Sequence, residues 1–328
     1  TPLMKRQAIM AMQLALACTF LLALNSCFKD NCSKTYTIYK PIYATLAETR
    51  SLMKSSAPRE IENPGKLYIY GNYIFLNDQQ LGIHVIDNSQ PTNPRNVGFI
   101  SIPGCVDMAV RGNTLYADSY GDLVTFDIKS PTNVVPVKFM NSVFEHRAQY
   151  YVQSGTTFDP DSIKLVVGWT TKDTTVDCET YQRNFDMFYA SSRADASGNY
   201  ASPQVGGVAG SMARFTIMNN YLYTVTRSQL KTFDISTPQD PTHKTDVNIG
   251  WNIETIYPFK ERLFIGSMSG MFIYDVSNAS NPVKRGQFNH INSCDPVVAD
   301  DKYAFVTLPS GTQCQGFTNQ LEIIDISN

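Results

Sequence analysis

Apolar residues along this chain come in short runs of aromatic and β-branched side chains separated by polar turns, and the runs keep step with one another. Five of them read Tyr73-Ile74-Phe75-Leu76, Thr114-Leu115-Tyr116-Ala117, Tyr221-Leu222-Tyr223-Thr224, Arg262-Leu263-Phe264-Ile265 and Tyr303-Ala304-Phe305-Val306. Their central aromatics, Phe75, Tyr116, Tyr223, Phe264 and Phe305, are separated by 41, 107, 41 and 41 residues. The runs lack helical spacing, as strands buried on both faces do. A second apolar run follows each and ends on an aspartate: Asp87, Asp127, Asp234, Asp275 and Asp325, lying 12, 11, 11, 11 and 20 residues behind the aromatics.

Prolines then appear four residues on (Pro91, Pro131, Pro238), seven on (Pro94, Pro241, Pro282), or both. An aspartate accepts hydrogen bonds from turn N–H groups, and proline fixes φ while being unable to continue a strand ladder. One residue type at one structural phase in every unit therefore reads as a turn residue, not a catalytic one. Candidate inner strands precede the aromatic runs at Leu67 to Tyr70, Val106 to Val110, Phe215 to Met218, Ile253 to Tyr257 and Pro296 to Ala299. Candidate outer strands are Asn96 to Ile102, Val135 to Met140, His243 to Ile249 and Val283 to Asn289. Four short strands every ~40–50 residues predict a β-propeller.

These residues resemble the LVIVD repeat family: a strand ending in aspartate, then Ser-x-Pro or Asn-Pro, with a Gly-Asn or Asn-Asn turn ahead of it (Gly71-Asn72, Gly112-Asn113, Asn219-Asn220). The resemblance covers about Lys66 to Asn328 and is weakest between Phe144 and Gln204. It implies a propeller and a bacterial surface or secreted protein, and it brings no catalytic motif. The interval of 107 residues equals two periods of 41 plus 25, which predicts a blade hidden between the second and third legible ones. Its strand would be Ile163 to Trp169, with the polar stretch Thr170 to Ser202 as an excursion. The expectation is thus an all-β, six-bladed propeller over residues 65–328. Its last blade lacks an outer strand in this sequence: either the record is truncated, or the alternating segment Thr35 to Tyr39 supplies the strand and closes the ring, removing an open edge. Ala44 to Ser55 has helical composition.

The N-terminus supplies an address. Lys5 and Arg6 precede an uncharged Ala-, Leu- and Met-rich stretch that ends in Leu24-Asn25-Ser26-Cys27. That order of basic, apolar and small residues reads as a lipoprotein signal peptide over residues 1–26, with Cys27 lipidated and residues 27–64 linking the anchor to the propeller. The expected location is the bacterial cell envelope, at the outer membrane or cell surface. A formal charge of −2, becoming −4 without Lys5 and Arg6, and the lack of basic clusters give no footprint for nucleic acid.

Five cysteines remain after Cys18 and Cys27: Cys32, Cys105, Cys178, Cys294 and Cys314. Cys294 precedes the last inner strand, and Cys314 lies in an enlarged turn expected on the same face. A bridge between them would contribute about 3 kcal/mol by loop entropy. Cys105 shares the phase of Cys294, and one pairing open to it is with Cys178, which would leave Cys32 alone; the sequence does not choose among pairings of Cys32, Cys105 and Cys178. No Cys-x-x-Cys or histidine spacing suggests zinc.

Propeller ligands sit at the channel mouth, where the connections into the inner strands and between the two middle strands emerge. Those positions collect Asn77, Asp78, Asp107, Asp118, Tyr120, Trp169, Arg227, Trp251, His290 and Asp295. Aromatic faces and carboxylates together suit a sugar, a peptide or a divalent ion. Each residue alone has a plainer role, in a turn or a blade interface. The reading is a noncatalytic binding module without a required cofactor. The alternative is a calcium-dependent propeller hydrolase or lactonase, in which Asp107, Asp118 and Asp295 converge on the ion. No Ser-His-Asp order, Gly-x-Ser-x-Gly elbow or paired glutamates support catalysis.

Overall fold

The computed structural model describes residues 32–144, 150–151, 164–180, 213–250, 252–268, 270–289, 297–308 and 320–327. Chain order begins with β1 (Ser33–Thr45), α1 (Leu46–Ser51) and β2 (Ser55–Ser56). The first repeat sheet is β3 (Pro64–Tyr70), β4 (Tyr73–Asp78), β5 (Gly82–Asp87) and β6 (Arg95–Ser101), with β2 added beside β6. The second is β7 (Met108–Arg111), β8 (Thr114–Ser119), β9 (Asp122–Asp127) and β10 (Val135–Met140). Then come β11 (Tyr150–Tyr151) and β12 (Lys164–Asp177), which form a separate sheet in the order β1-β12-β11. The third repeat sheet is β13 (Phe215–Met218), β14 (Tyr221–Val225), β15 (Gln229–Asp234) and β16 (Thr242–Asn248). The fourth is β17 (Ile253–Phe259), β18 (Arg262–Ser267), β19 (Gly270–Asp275) and β20 (Val283–Asn289). The fifth contains β21 (Val297–Ala299), β22 (Tyr303–Leu308) and β23 (Gln320–Asp325). All repeat sheets are antiparallel meanders, so the fold is all-β with the expected strand order.

The register follows from the repeat. The aromatics Phe75, Tyr116, Tyr223 and Phe264 on the second strands are fully buried, and each sits opposite a β-branched residue of the third strand: Val85, Thr125, Thr232 and Ile273. The aspartates cap the turn as expected. The Oδ1 atoms of Asp87, Asp127, Asp234, Asp275 and Asp325 accept the N–H two residues on, at 2.8–2.9 Å. The N–H one residue past each aspartate bonds back to the first hairpin, onto the carbonyls of Asn72, Asn113, Asn220, Glu261 and Lys302. One short side chain and its neighbour thus tie the two hairpins of a sheet together.

Neighbouring sheets are sewn by a repeated bond as well. Tyr116 Oη donates to the Pro238 carbonyl at 2.7 Å, and Tyr223 Oη donates to Ala279 at 2.7 Å. Tyr68 Oη reaches Val110 at 3.3 Å, and Arg262 reaches the carbonyl of Ile326 at 3.3 Å. The first of these bonds corrects the expected hidden blade. The second repeat sheet packs directly on the third, with Phe144 stacked on Phe215 at 5.5 Å and, among the described residues, no strand between them. Ile163 lies outside the described residues, and Lys164 to Trp169 belong to β12. Trp169, expected at a channel mouth, is therefore on the β1-β12-β11 sheet.

The expected closing strand is also corrected: Thr35 to Tyr39 lie in β1, whose hydrogen-bonded neighbour is β12. The chain divides into two compact units, one of residues 1–40 and 170–204 and one of residues 41–169 and 205–328. In the smaller, Ser33 to Lys40 and Thr170 to Asp177 form a ribbon with Thr35 and Thr175 hydroxyls 2.8 Å apart and Thr37 donating to Asp173 at 2.7 Å. A Cys32–Cys178 disulfide closes it, with Cα atoms 5.4 Å apart. That replaces the Cys105–Cys178 pairing; Cys105 is a buried thiol. The pairing follows from the ribbon register, which brings together two residues 146 positions apart.

In the larger unit, α1 is shorter than the expected Ala44 to Ser55. A capping box starts it, with Glu48 N–H bonding Thr45 Oγ1 at 3.1 Å and the Thr45 N–H bonding Glu48 Oε2 at 2.7 Å. Arg50 pins it to the second repeat sheet through Asp122 at 2.5 Å and Asn141 at 2.6 Å.

Candidate functional site

The connections into the inner strands gather charge where the sequence placed a channel mouth. Asp107, just before β7, is almost fully buried. Its Oδ1 lies 3.0 Å from Lys66 Nζ of β3, and its Oδ2 accepts the N–H groups of Phe215, at 2.8 Å, and Arg214. Lys66 Nζ also donates to the Phe215 carbonyl at 3.1 Å. Three consecutive sheets therefore meet on one carboxylate. Burial pulls the Arg214 guanidinium below its usual range, while Asp107 and Glu254 draw it back up. The sequence reading missed Lys66, Arg214 and Glu254; the signal was a charged residue entering or flanking four of the five inner strands at the phase of Asp107.

Asp118, at the end of β8, serves the same connection. Its Oδ1 accepts the N–H of Val106 at 2.8 Å and of Asp107 at 2.9 Å. Asp78, which ends β4 at the position Ser119 holds on β8, accepts the N–H of Glu62 at 3.0 Å and of Asn63 at 2.7 Å, and it lies 3.0 Å from His84 Nε2. Burial pushes the Asp78 carboxyl up, but the Glu62, His84 and Asn63 bonds outweigh it and hold the group below its ordinary value. His84 is fully buried, and its Nδ1 faces Asn96 Nδ2 at 3.2 Å. The amide can only donate there, so Nε2 carries the proton donated to Asp78. Asn77 is buried and donates to the Gly82 carbonyl at 3.2 Å and to Cys105 Sγ at 3.3 Å.

Tyr120 occupies the tip of the β8–β9 turn with φ of 48°. Gly104, at φ of 76°, lies flat against its ring: a Cβ there would fall 2.8 Å from ring carbons. Tyr120 Oη donates to the Val167 carbonyl at 3.4 Å, and burial pushes its hydroxyl up to about 12. Arg227 is exposed and bonds Asn252 Oδ1 at 2.9 Å. The structure thus gathers Asn77, Asp107, Asp118 and Tyr120 around the β6–β7 connection, through Cys105, Val106, Asp107 and Gly104, and leaves Asp78 and Arg227 at other turns. Trp251, His290, Asp295, Cys294, Cys314 and Cys27 lie outside the described residues. Among the described residues, no group of three or more His, Cys, Asp or Glu is placed to hold a metal ion, and no helix is long and apolar enough to cross a membrane.

The family model for the LVIVD repeat matches residues 65–100, 263–290 and 314–328. This chain carries LVIVD repeats. The matched spans fall on the first, fourth and fifth repeat sheets, and the strand-ending aspartates Asp87, Asp275 and Asp325 lie inside them. No curated protein matches the chain. Among solved structures, a protein from Lactobacillus plantarum is similar at a TM-score of 0.48 and 10% identity, covering 82% of this chain and 72% of that one. Hsv2 from Kluyveromyces marxianus is similar at 0.42 and 11%, covering 82% of this chain and 65% of Hsv2, so the LVIVD chain spans less than two thirds of its length. Sqt1 from Saccharomyces cerevisiae gives 0.37 and 9%, with 76% and 70% covered.

Proposed function

We propose that this LVIVD-repeat protein is a noncatalytic interaction module, held to the bacterial cell envelope by a lipid on Cys27, that presents a rigid array of sheets to a glycan, a protein or another envelope component. One observation supports it above the rest: Asp107 and Asp118, two of the three carboxylates that the calcium-dependent alternative would need, each hold two backbone N–H groups. A carboxylate committed to buried N–H groups releases them to bind a cation only at the cost of leaving donors unsatisfied. Binding then belongs to exposed turn residues such as Arg227.

Two measurements test the reading. Replacing Cys27 with Ala should move the protein from the membrane fraction to the soluble fraction; retention of the variant in membranes refutes the anchor. Thermal unfolding should be the same within about 1 °C in millimolar calcium and in EDTA. A calcium-dependent rise of several degrees would make the hydrolase reading the better one.

A further inference from the structure

The first repeat sheet buries a histidine that the channel-mouth residues do not account for, and a strap of chain lies over it. Residues 57–63 pass from β2 to β3 and cross the sheet face that carries His84 and Phe99. Side chains of the sheet tie the strap down at two places. Asp78 accepts the N–H groups of Glu62 and Asn63, and Asn96 Nδ2 donates to the Arg59 carbonyl at 2.9 Å. The Arg59 guanidinium covers the Phe99 ring at 5.1 Å and pairs with Glu62, and the Phe99 ring lies 4.9 Å from that of His84.

The Asn96 carboxamide couples the strap to the histidine. Its nitrogen points one hydrogen at the Arg59 carbonyl and the other at His84 Nδ1, 3.2 Å away, while Oδ1 is buried and accepts no hydrogen bond among the described residues. This arrangement suits only a neutral ring. A proton added at Nδ1 meets the amide donor against donor, and turning the carboxamide over relieves the clash, because Oδ1 then accepts from Nδ1 and gains the partner it lacks. The same turn sets an acceptor 2.9 Å from the Arg59 carbonyl. Two acceptors repel at that distance, so the strap has to move.

Charges around the ring favour its protonation. From β4, Asp78 lies 3.0 Å from Nε2, and its carboxyl stays ionised in weak acid because the Glu62, His84 and Asn63 bonds hold it below its ordinary value despite burial. The strap contributes Arg59 and Glu62, which neutralise each other, and Arg95 of β6 is paired with Asp87. A buried imidazolium therefore has a carboxylate partner, and histidine is the side chain that ordinarily changes charge between pH 8 and 5. We propose that His84 and Asn96 form an acid-operated latch, in which protonation of His84 turns the Asn96 carboxamide, breaks its bond to Arg59 and lifts residues 57–61 off the first repeat sheet. Glu62 and Asn63 stay on Asp78, so the strap pivots there, and the movement bares Phe99, which is now buried. The latch does not depend on what the protein binds.

Hydroxyl-radical footprinting of the full chain at about pH 7.5 and about pH 5 reads the cover over Phe99. Oxidation of Phe99 should rise about fivefold in acid, while that of Phe75, buried on the other face of the same sheet, should not change. The Asn96→Asp variant sets a carboxylate against both His84 Nδ1 and the Arg59 carbonyl, so it should give the high value at both pH values; His84→Gln cannot take up the proton and should give one value throughout. Nitrogen-15 spectra of the imidazole in the unaltered protein follow the Nδ1 proton directly, which keeps the test decisive if either variant fails to fold. A ring that stays neutral down to about pH 5, an Nδ1 proton gained without a change at Phe99, an equal rise at Phe75, or a rise that persists in His84→Gln would each overturn the latch.

Discussion

At the scale of single residues, the buried carboxylates act as fasteners. Asp107 gathers Lys66 from one sheet and the N–H groups of Arg214 and Phe215 from another, while sitting on a third. Replacing it with Ala leaves two buried donors and an ammonium without their acceptor, each donor costing ~1–3 kcal/mol. The Asp107→Ala variant should therefore lose about 3 kcal/mol in urea unfolding, and Asp107→Asn, which keeps one acceptor oxygen, about half of that. A loss below about 1 kcal/mol in the Ala variant would show that the carboxylate is dispensable to the fold and reopen a ligand role. The sequence displayed Asp78, Asp107 and Asp118 because their phase in the repeat is visible in one dimension. Their role was hidden because the N–H groups they hold belong to connections, and in the case of Asp107 to a sheet more than a hundred residues away.

At the scale of elements, what was legible was whatever repeats. Three strands, Phe215–Met218, Val135–Met140 and Val283–Asn289, begin and end where the pattern put them. Lys164 to Trp169 also reads as a strand and is one, but periodicity carries no record of which strand it pairs with, and β1 lies well over a hundred positions upstream. The disulfide is a similar case: five cysteines admit several pairings, and only the ribbon register selects Cys32 with Cys178. Closing a loop of that length removes up to about 5 kcal/mol of unfolded-chain entropy. Cys178→Ser should accordingly make Ser33 to Lys40 and Thr170 to Asp177 cleavable by trypsin at Lys34 and Lys172 under native conditions while the repeat sheets stay intact. Equal resistance in parent and variant would mean that the ribbon hydrogen bonds suffice alone.

At the scale of the whole molecule, four like turns, those of Asp87, Asp234, Asp275 and Asp325, give acid a common target. The Asp275 carboxyl is held at about 2 by bonds from Ser277 and then from Arg285, and Asp87, Asp234 and Asp325 also lie below their ordinary value through bonds from Ser89, Ser236 and Ser327. A carboxylate with a depressed folded-state pKa contributes stability that is complete above its unfolded value, 3.8, and is lost as pH falls toward the folded value. The melting temperature should hold from pH 7 to about 4.5 and drop steeply from about 4 to 2. A flat profile down to pH 2 would remove the turns from the stability account. The direct seating of the second sheet on the third has another consequence. The chain leaves the array at Phe144 and re-enters at Phe215 with the two rings stacked, so the intervening stretch begins and ends at one place. An insertion whose ends already touch adds only a slowly growing loop-closure cost, because that cost rises with the logarithm of length. Evolution can lengthen, shorten or exchange what lies between those two phenylalanines as long as the few bonds it makes to the repeat sheets, such as Val167 with Tyr120 and Arg214 with Asp107, are kept, which makes this joint the natural port for grafting new binding chemistry onto an otherwise fixed scaffold.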